Sequence, residues 1–464
     1  MRLALRRTFR GFALGLLLAG VPLTPCAGQA PLRQPPLDRP APAIAEGPAR
    51  SPEGPATAAE TLEEAWQVAL RCDQRLEASH WNLSAAESSS AAARAERLPS
   101  MTVGSDYVVL SEEPGFSFNI PPLPPQHMSF FPRDSVGFHG LVNQPLYTSG
   151  RITAGIRAAE ANVRANQADV NRTRLEIKMN VAEAYVAVLR AQRLVEVAQS
   201  RIASLTSHNR DVAIQFEKGV VKKNDALASQ VALADARQQG FQARNGLEVA
   251  SAVYNRHLGR RLADPVRLAE LRDESSSEDV DDLTRMAMQL RPELAGLSAQ
   301  ARTLRDQAAG VRAKQCPQVN LTGGYVYQQD KYIEPNGVGM LLLGAEWNIA
   351  DMGRARNQAD ALCERAEATV RLRRDAESMI ALDVRQKWLD LQTARQRVQV
   401  ARESVTQSDE NLRVSRERYQ NQVGTNTEVL DAETLRVQAY TNFYNSAYES
   451  VLAALRLRRA VGNL

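Results

Sequence analysis

Aromatic residues are scarce. Phe, Trp and Tyr make up 5% of the 464 residues, while hydrophobic residues as a whole reach 44%. Large aromatic side chains normally dominate the energetics of a compact core. This chain offers Ala, Leu and Val instead, which suits long helices packed side by side. Four cysteines occur (Cys26, Cys72, Cys316, Cys363), and their spacing fits no metal motif. Five histidines (His80, His127, His139, His208, His257) are scattered along the chain. There is no nucleophile motif and no phosphate-binding loop, so nothing points to an enzyme. Long apolar runs are also missing. Beyond residue 23 the longest is GMLLLGA at 339–345, far short of the ~20 residues of a membrane-spanning helix. A membrane role would have to rest on β-strands.

Charge of one sign is lacking too. The formal net charge is +4, but Arg2, Arg6, Arg7 and Arg10 lie within the first ten residues. An apolar run, GFALGLLLAGVPL, follows them, and then small residues. This is the pattern of a signal peptide, assigned to residues 1–28. Its removal leaves a nearly neutral chain, which gives little support for a nucleic-acid partner. Cys26 follows the apolar run closely and is a candidate lipid acceptor, although Pro25 stands where a small residue is wanted. Residues 29–58 are expected to be a Pro-rich disordered leader.

The rest of the chain contains itself twice. RLPSMTVGSDYVV at 97–109 recurs as QCPQVNLTGGYVY at 315–327, and SGR at 149–151 recurs as MGR at 352–354. From there an offset of 203 holds. Val384, Leu391, Val398, Val405, Leu412 and Tyr419 are seven apart, and answer to Val181, Val188, Val195, Ile202, Asn209 and Phe216. A sustained seven-residue apolar period predicts a coiled-coil seam.

Each copy therefore reads as helix, two strands, very long helix, break, long helix. Repeat 1 covers 59–258, with helix 60–96, strands 100–110 and 135–146, and helices 151–217 and 224–258. A linker at 259–280 leads to repeat 2 at 281–464, with helix 281–314, strands 318–328 and 338–349, and helices 353–418 and 426–460. The strands alternate in hydrophobicity and approach the ~9–11 residues of a tilted membrane-spanning strand. The six prolines of 111–134 predict an irregular connection. Four strands cannot close a barrel, and open edges are not tolerated in lipid. Copies of the chain must pool their strands, or the strands form a small soluble sheet.

The two breaks are one element, FEKGVVKKNDAL (216–227) and YQNQVGTNTEVL (419–430). Gly219 and Gly424 are expected to supply backbone angles that other residues resist. Thr425, Asn426 and Thr427 are candidate caps for the next helix. Asp225, Glu428 and Asp431 have two readings. They can complement the dipole of a helix start, or they can form rings of acids at a constriction, which select cations. Lys218, Lys222 and Lys223 flank the first tip as a solvated loop or a contact surface.

The chain resembles the TolC-like outer membrane efflux proteins (outer membrane factors) of Gram-negative bacteria. The resemblance spans about Glu60 to Leu464. It rests on the duplication, the TLEEAWQVAL start at 61–70, the QPLYTSGR strand-to-helix junction at 144–151, and the aromatic-x-x-Gly…acid-x-Leu pattern at the break. It implies a mainly α fold with a small β part, assembled as a homotrimer. A shared 12-stranded β-barrel would sit in the outer membrane and continue into a periplasmic α-helical barrel. It implies a passive, non-enzymatic exit duct without cofactors, serving a tripartite efflux or type I secretion system. Its partners would be a periplasmic adaptor (membrane fusion protein) and an inner-membrane pump. It also places Asp225, Glu428 and Asp431 at the periplasmic gate. Phe216, Gly219, Leu227, Tyr419, Gly424 and Leu430 belong to the hairpin tips. Pro145, Gly150, Arg151, Gly353 and Arg354 belong to the strand-to-helix junctions. Gln422 stands where the family usually has glycine. The alternative is a soluble periplasmic coiled-coil binding or adaptor protein, which explains the heptads but not the duplicated strand pairs.

Overall fold

The computed structural model describes residues 59–122, 124–271, 279–332 and 334–464. The signal peptide, the leader and Cys26 lie outside them. Eight helices and six strands occur among the described residues, and helix dominates.

The expected helix 60–96 is two helices, α1 (Leu62–Cys72) and α2 (Gln74–Ala95). Asp73 breaks it. With φ −75° and ψ 118° it leaves the helical region, and its carboxylate accepts from the amides of Arg75 and Leu76 to start α2. The expected helix 281–314 is likewise α5 (Val280–Leu290) and α6 (Pro292–Ala313). Pro292 forces Arg291 into an extended conformation, so the first helix must stop there. Both copies carry the same joint for different chemical reasons.

Strands β1 (Ser100–Val109), β4 (Asp134–Tyr147), β5 (Gln318–Gln328) and β6 (Gly337–Glu346) form one antiparallel sheet in the order β1-β4-β5-β6. The last strand ends at Glu346, not at 349. Residues 111–134 are not irregular throughout, because β2 (Gly115–Phe118) pairs with β3 (Gln126–Ser129) between the prolines. Directly opposed residues share a face. Opposition of Met101 to Val142, Ser105 to Phe138, Phe138 to Tyr327 and Leu321 to Leu343 makes one face apolar. The other face carries Thr102, Asp106, His139, Asn143, Thr322 and Gln328. The apolar face is exposed, as at Val103 (75%) and Leu341 (77%). Within the sheet β1 pairs only with β4 and β6 only with β5, so among the described residues both outer edges are free.

Each strand pair feeds a very long helix. α3 spans Arg151–Glu217 and α7 spans Arg354–Gln420, 67 residues each, or ~100 Å at about 1.5 Å per residue. The junctions are sharp turns. Ser149 and Gly150, then Met352 and Gly353, are consecutive left-handed residues, with Gly150 at φ +86° and Gly353 at φ +84°. A β-carbon resists that conformation, so the two glycines fix where strand becomes helix. Pro145 sits at a register shift in β4, Arg151 reaches Gln318 and Glu96, and Arg354 is exposed.

α3 turns back into α4 (Lys223–His257), and α7 turns back into α8 (Asn426–Val461). The two hairpins touch mainly where α3 packs on α8. The largest core gathers Val181, Tyr185, Val188, Tyr254 and Leu258 with Leu62 and Ala65 of α1. The Tyr185 hydroxyl lies 2.7 Å from the carbonyls of Glu60 and Ala269, which ties the segment before α1 to the inter-repeat connection. Large apolar side chains also remain exposed on the two outer helices of the layer. They include Val231, Phe241 and Val249 on α4, and Leu372, Leu382 and Val400 on α7.

Candidate functional site

Both hairpins close with the same turn. At the first, Gly219 is left-handed at φ +71°, and the amide of Val220 returns to the carbonyl of Gln215 at 2.9 Å. At the second, Gln422 takes that conformation at φ +60°, and the amide of Val423 returns to the carbonyl of Arg418 at 2.9 Å. This is the i−5 bond of a helix end closed by a left-handed residue. The expectation for Gly424 is therefore corrected, since the unusual angle falls on Gln422. Gly424 is needed for closeness instead. A β-carbon there would lie 3.0 Å from Arg418 Cβ and 3.2 Å from the Tyr419 amide nitrogen.

Beyond each turn a helix begins with an acid. Thr425 caps α8 by accepting from the amide of Glu428, at 3.3 Å. The Glu428 carboxylate lies 3.8 Å from Arg418. Asp431, one turn further on, is exposed. Asp225 occupies the first turn of α4, whose N-cap Lys222 makes no side-chain bond. The corresponding aromatic residues differ. Phe216 is 42% exposed and Tyr419 only 7%. Likewise Leu227 is exposed, while Leu430 packs against Leu205, Leu233 and Ala236 of the first hairpin.

Within one chain, the tips are joined by a small apolar cluster of Val212, Ala226, Leu412, Tyr419, Val429 and Ala432. Polar links that the sequence reading did not single out accompany it. Asn426 is buried at the start of α8. Its Nδ2 donates to the Asp225 carbonyl at 3.1 Å, so its Oδ1 is left to accept from His208 Nε2 at 2.7 Å. The His208 ring meets the Tyr419 ring at 5.3 Å, edge to face. Two helical turns deeper, Glu433 is 1% exposed, with Arg416 at 3.4 Å and Arg436 at 3.9 Å. Arg416 also bonds Ser204, and Arg436 bonds Asp409 at 2.6 Å and Ser200 at 3.4 Å. Serines of α3 thus meet arginines of α7 and α8 across the seam. A sequence signal for this cluster existed in the repeat itself. Where the second copy has Asn426 and Glu433, the first has Lys223 and Gln230.

Burial and the nearby carboxylates of Asp225 and Asp211 push the Tyr419 hydroxyl above its ordinary pKa. That hydroxyl is buried with no hydrogen-bond partner. Among the described residues no group of three His, Cys, Asp or Glu side chains could hold a metal ion, and no helix is long and apolar enough to cross a membrane.

Known proteins share this architecture. The family model for outer membrane efflux proteins matches residues 65–260 and again 283–463. Outer membrane protein TolC of Vibrio cholerae is 25% identical over 324 residues, covering 66% of this chain and 72% of that protein. The crystal structure of outer membrane protein VceC from Vibrio cholerae superposes with a TM-score of 0.73 at 16% identity, covering 86% of this chain and 96% of that one. The Campylobacter jejuni CmeC outer membrane channel superposes at 0.71 and 14% identity, covering 89% and 90%. At such identities the two structures speak for the fold alone.

Proposed function

We infer the function from one premise: this chain belongs to the outer membrane efflux protein family. It is a protein of the outer membrane of Gram-negative bacteria that extends into the periplasm, and its family consists of channels. The finer reading is a homotrimeric exit duct, gated at the hairpin tips. The observation that carries it is a four-stranded sheet with one exposed apolar face and two free edges. Lipid would leave those edges unpaired at a cost of several kcal/mol per group. Three copies joined edge to edge would supply a closed barrel of twelve strands. The exposed apolar residues of α4 and α7 support the same closure, since each outer helix would cover that of the next copy.

In that assembly Glu428 and Asp431 become rings of three at the periplasmic mouth, and Asp225 lies in the contacts that hold the mouth shut. Acid rings at a constriction favour cations. A periplasmic adaptor and an inner-membrane pump would open the duct and drive export.

Electron microscopy of the detergent-extracted protein tests the assembly. A three-fold hollow cylinder with a helical part roughly 100 Å long is expected, and a soluble monomer absent from the membrane fraction would refute it. The gate is tested by Glu428→Gln with Asp431→Asn in planar bilayers. Cation selectivity and block by divalent cations should both fall. Unchanged selectivity would remove these acids from the gate.

A further inference from the structure

Asn426 belongs to the second hairpin, yet its side chain is buried against the first. One amide binds both helices of the opposite hairpin, His208 on α3 and the main chain of Asp225 where α4 begins. The repeat holds no second copy of this link. The offset of 203 relates His208 to Asn411 and Asn426 to Lys223, both exposed. A buried histidine therefore bonds across the seam that must part if the tips are to separate.

The groups facing His208 come from three elements. Tyr419 and Arg416 approach from α7, Asn426 and Glu433 from α8, and Asp211 lies on α3 itself. Burial is the largest influence and pushes the imidazole pKa down, while the bond to Asn426 pulls it up. Arg416 pushes it down further, Asp211 and Glu433 oppose, and the net shift is downward. A buried imidazolium would be poorly compensated, because the atom bonded to the ring, Asn426 Oδ1, is neutral and the Asp211 and Glu433 carboxylates do not outweigh burial and Arg416.

We propose that the His208–Asn426–Asp225 link is an acid-released latch: neutral His208 holds the second hairpin to the first, and protonation frees it. The consequence for transport rests on the duct reading above, but the link itself does not. While latched, the buried ring resists the proton. Once released, it faces water and takes the proton as an ordinary histidine does. Above the ordinary histidine range both states are neutral and their balance is fixed. As pH falls below that range the released state binds the proton first, and the balance moves toward release by at most about tenfold per pH unit for one titrating group.

Hydrogen exchange of the full-length, detergent-solubilised protein reads the latch directly, with labelling times scaled for the intrinsic pH dependence of exchange. Protection of residues 205–212 and 424–430 is expected to fall severalfold between pH 7.5 and 5.5. His208→Gln keeps an N–H donor but cannot titrate, and should hold its protection across that range. Asn426→Ala should lose protection already at pH 7.5. An equal acid-induced loss in His208→Gln, or none in the unaltered protein, overturns the proposal. Bilayer conductance separates the latch from the duct. Acid-induced loss of protection that needs His208, with no conductance at any pH, keeps the latch and sinks the duct. Conductance whose acid response is unchanged in His208→Gln does the reverse.

Discussion

The two hairpin tips descend from one repeated element, and they now live in different surroundings. Phe216 stands in solvent where Tyr419 is buried, and Leu227 is exposed where Leu430 is covered. Their turns are alike, and both place a left-handed residue at the same repeat position. The difference comes from what lies alongside. The second tip packs on α3 of its own chain, whereas the outer side of the first tip meets nothing among the described residues. An apolar tip that matches a buried counterpart but is itself exposed suits a surface that awaits a neighbour. Under the proposed ring of copies, that neighbour would be the second hairpin of the next chain.

Truncating the aromatic residue at each tip should break the comparison most visibly. Tyr419→Ala removes a buried side chain from a closed cluster and should cost about 3 kcal/mol or more, read as a lowered denaturation midpoint. Phe216→Ala should cost the single chain far less. Under the ring reading it should instead weaken the oligomer, seen as dissociation by native mass spectrometry. If both variants behave alike, the exposed tip has no partner.

Arg416→Ala should come next. It deprives Glu433, 1% exposed, of the nearer of its two arginines. Stranding a buried carboxylate costs about 3 kcal/mol when it loses its partner, and the remaining Arg436 should reduce that figure. The first tip has Ala213 and Gln230 at these positions, so it has no such liability.

The turns offer a smaller contrast with opposite signs. Gln422→Gly relieves a left-handed residue that carries a β-carbon and should stabilise the second tip by about 1 kcal/mol. Gly219→Ala imposes that strain on the first and should destabilise it by about the same amount. Local hydrogen exchange at each tip resolves both. The smallest effect is expected from Tyr419→Phe. It deletes a buried hydroxyl that has no partner, so stability should hold or rise by up to about 1 kcal/mol.

Local signals made much of this legible. The duplication, the heptad run, the strand alternation and the position of the tips each follow from neighbours in sequence. So did the mainly helical fold with a small sheet. The break at Arg291 was also available, since Pro292 excludes helix before it. The break at Asp73 was hidden, because LRCDQR contains no helix breaker and an acid reads equally well within a helix. The αL position was assigned to Gly424 by composition, whereas the hydrogen-bonded frame of the turn assigns it to Gln422. His208 passed as one of five scattered histidines. Its partner lies 218 residues away, and no local pattern reports a contact of that span.

The sequence by itself determined the period of each element and the places where the period fails, because helix and strand geometry are set by residues within one or two turns of each other. Tertiary structure alone decided which of two equivalent tips is buried, which glycine bends and which merely makes room, and how His208, Asn426 and Glu433 meet. Those outcomes depend on how the two hairpins lie against each other. Two copies of one sequence pattern cannot specify that until they are packed together.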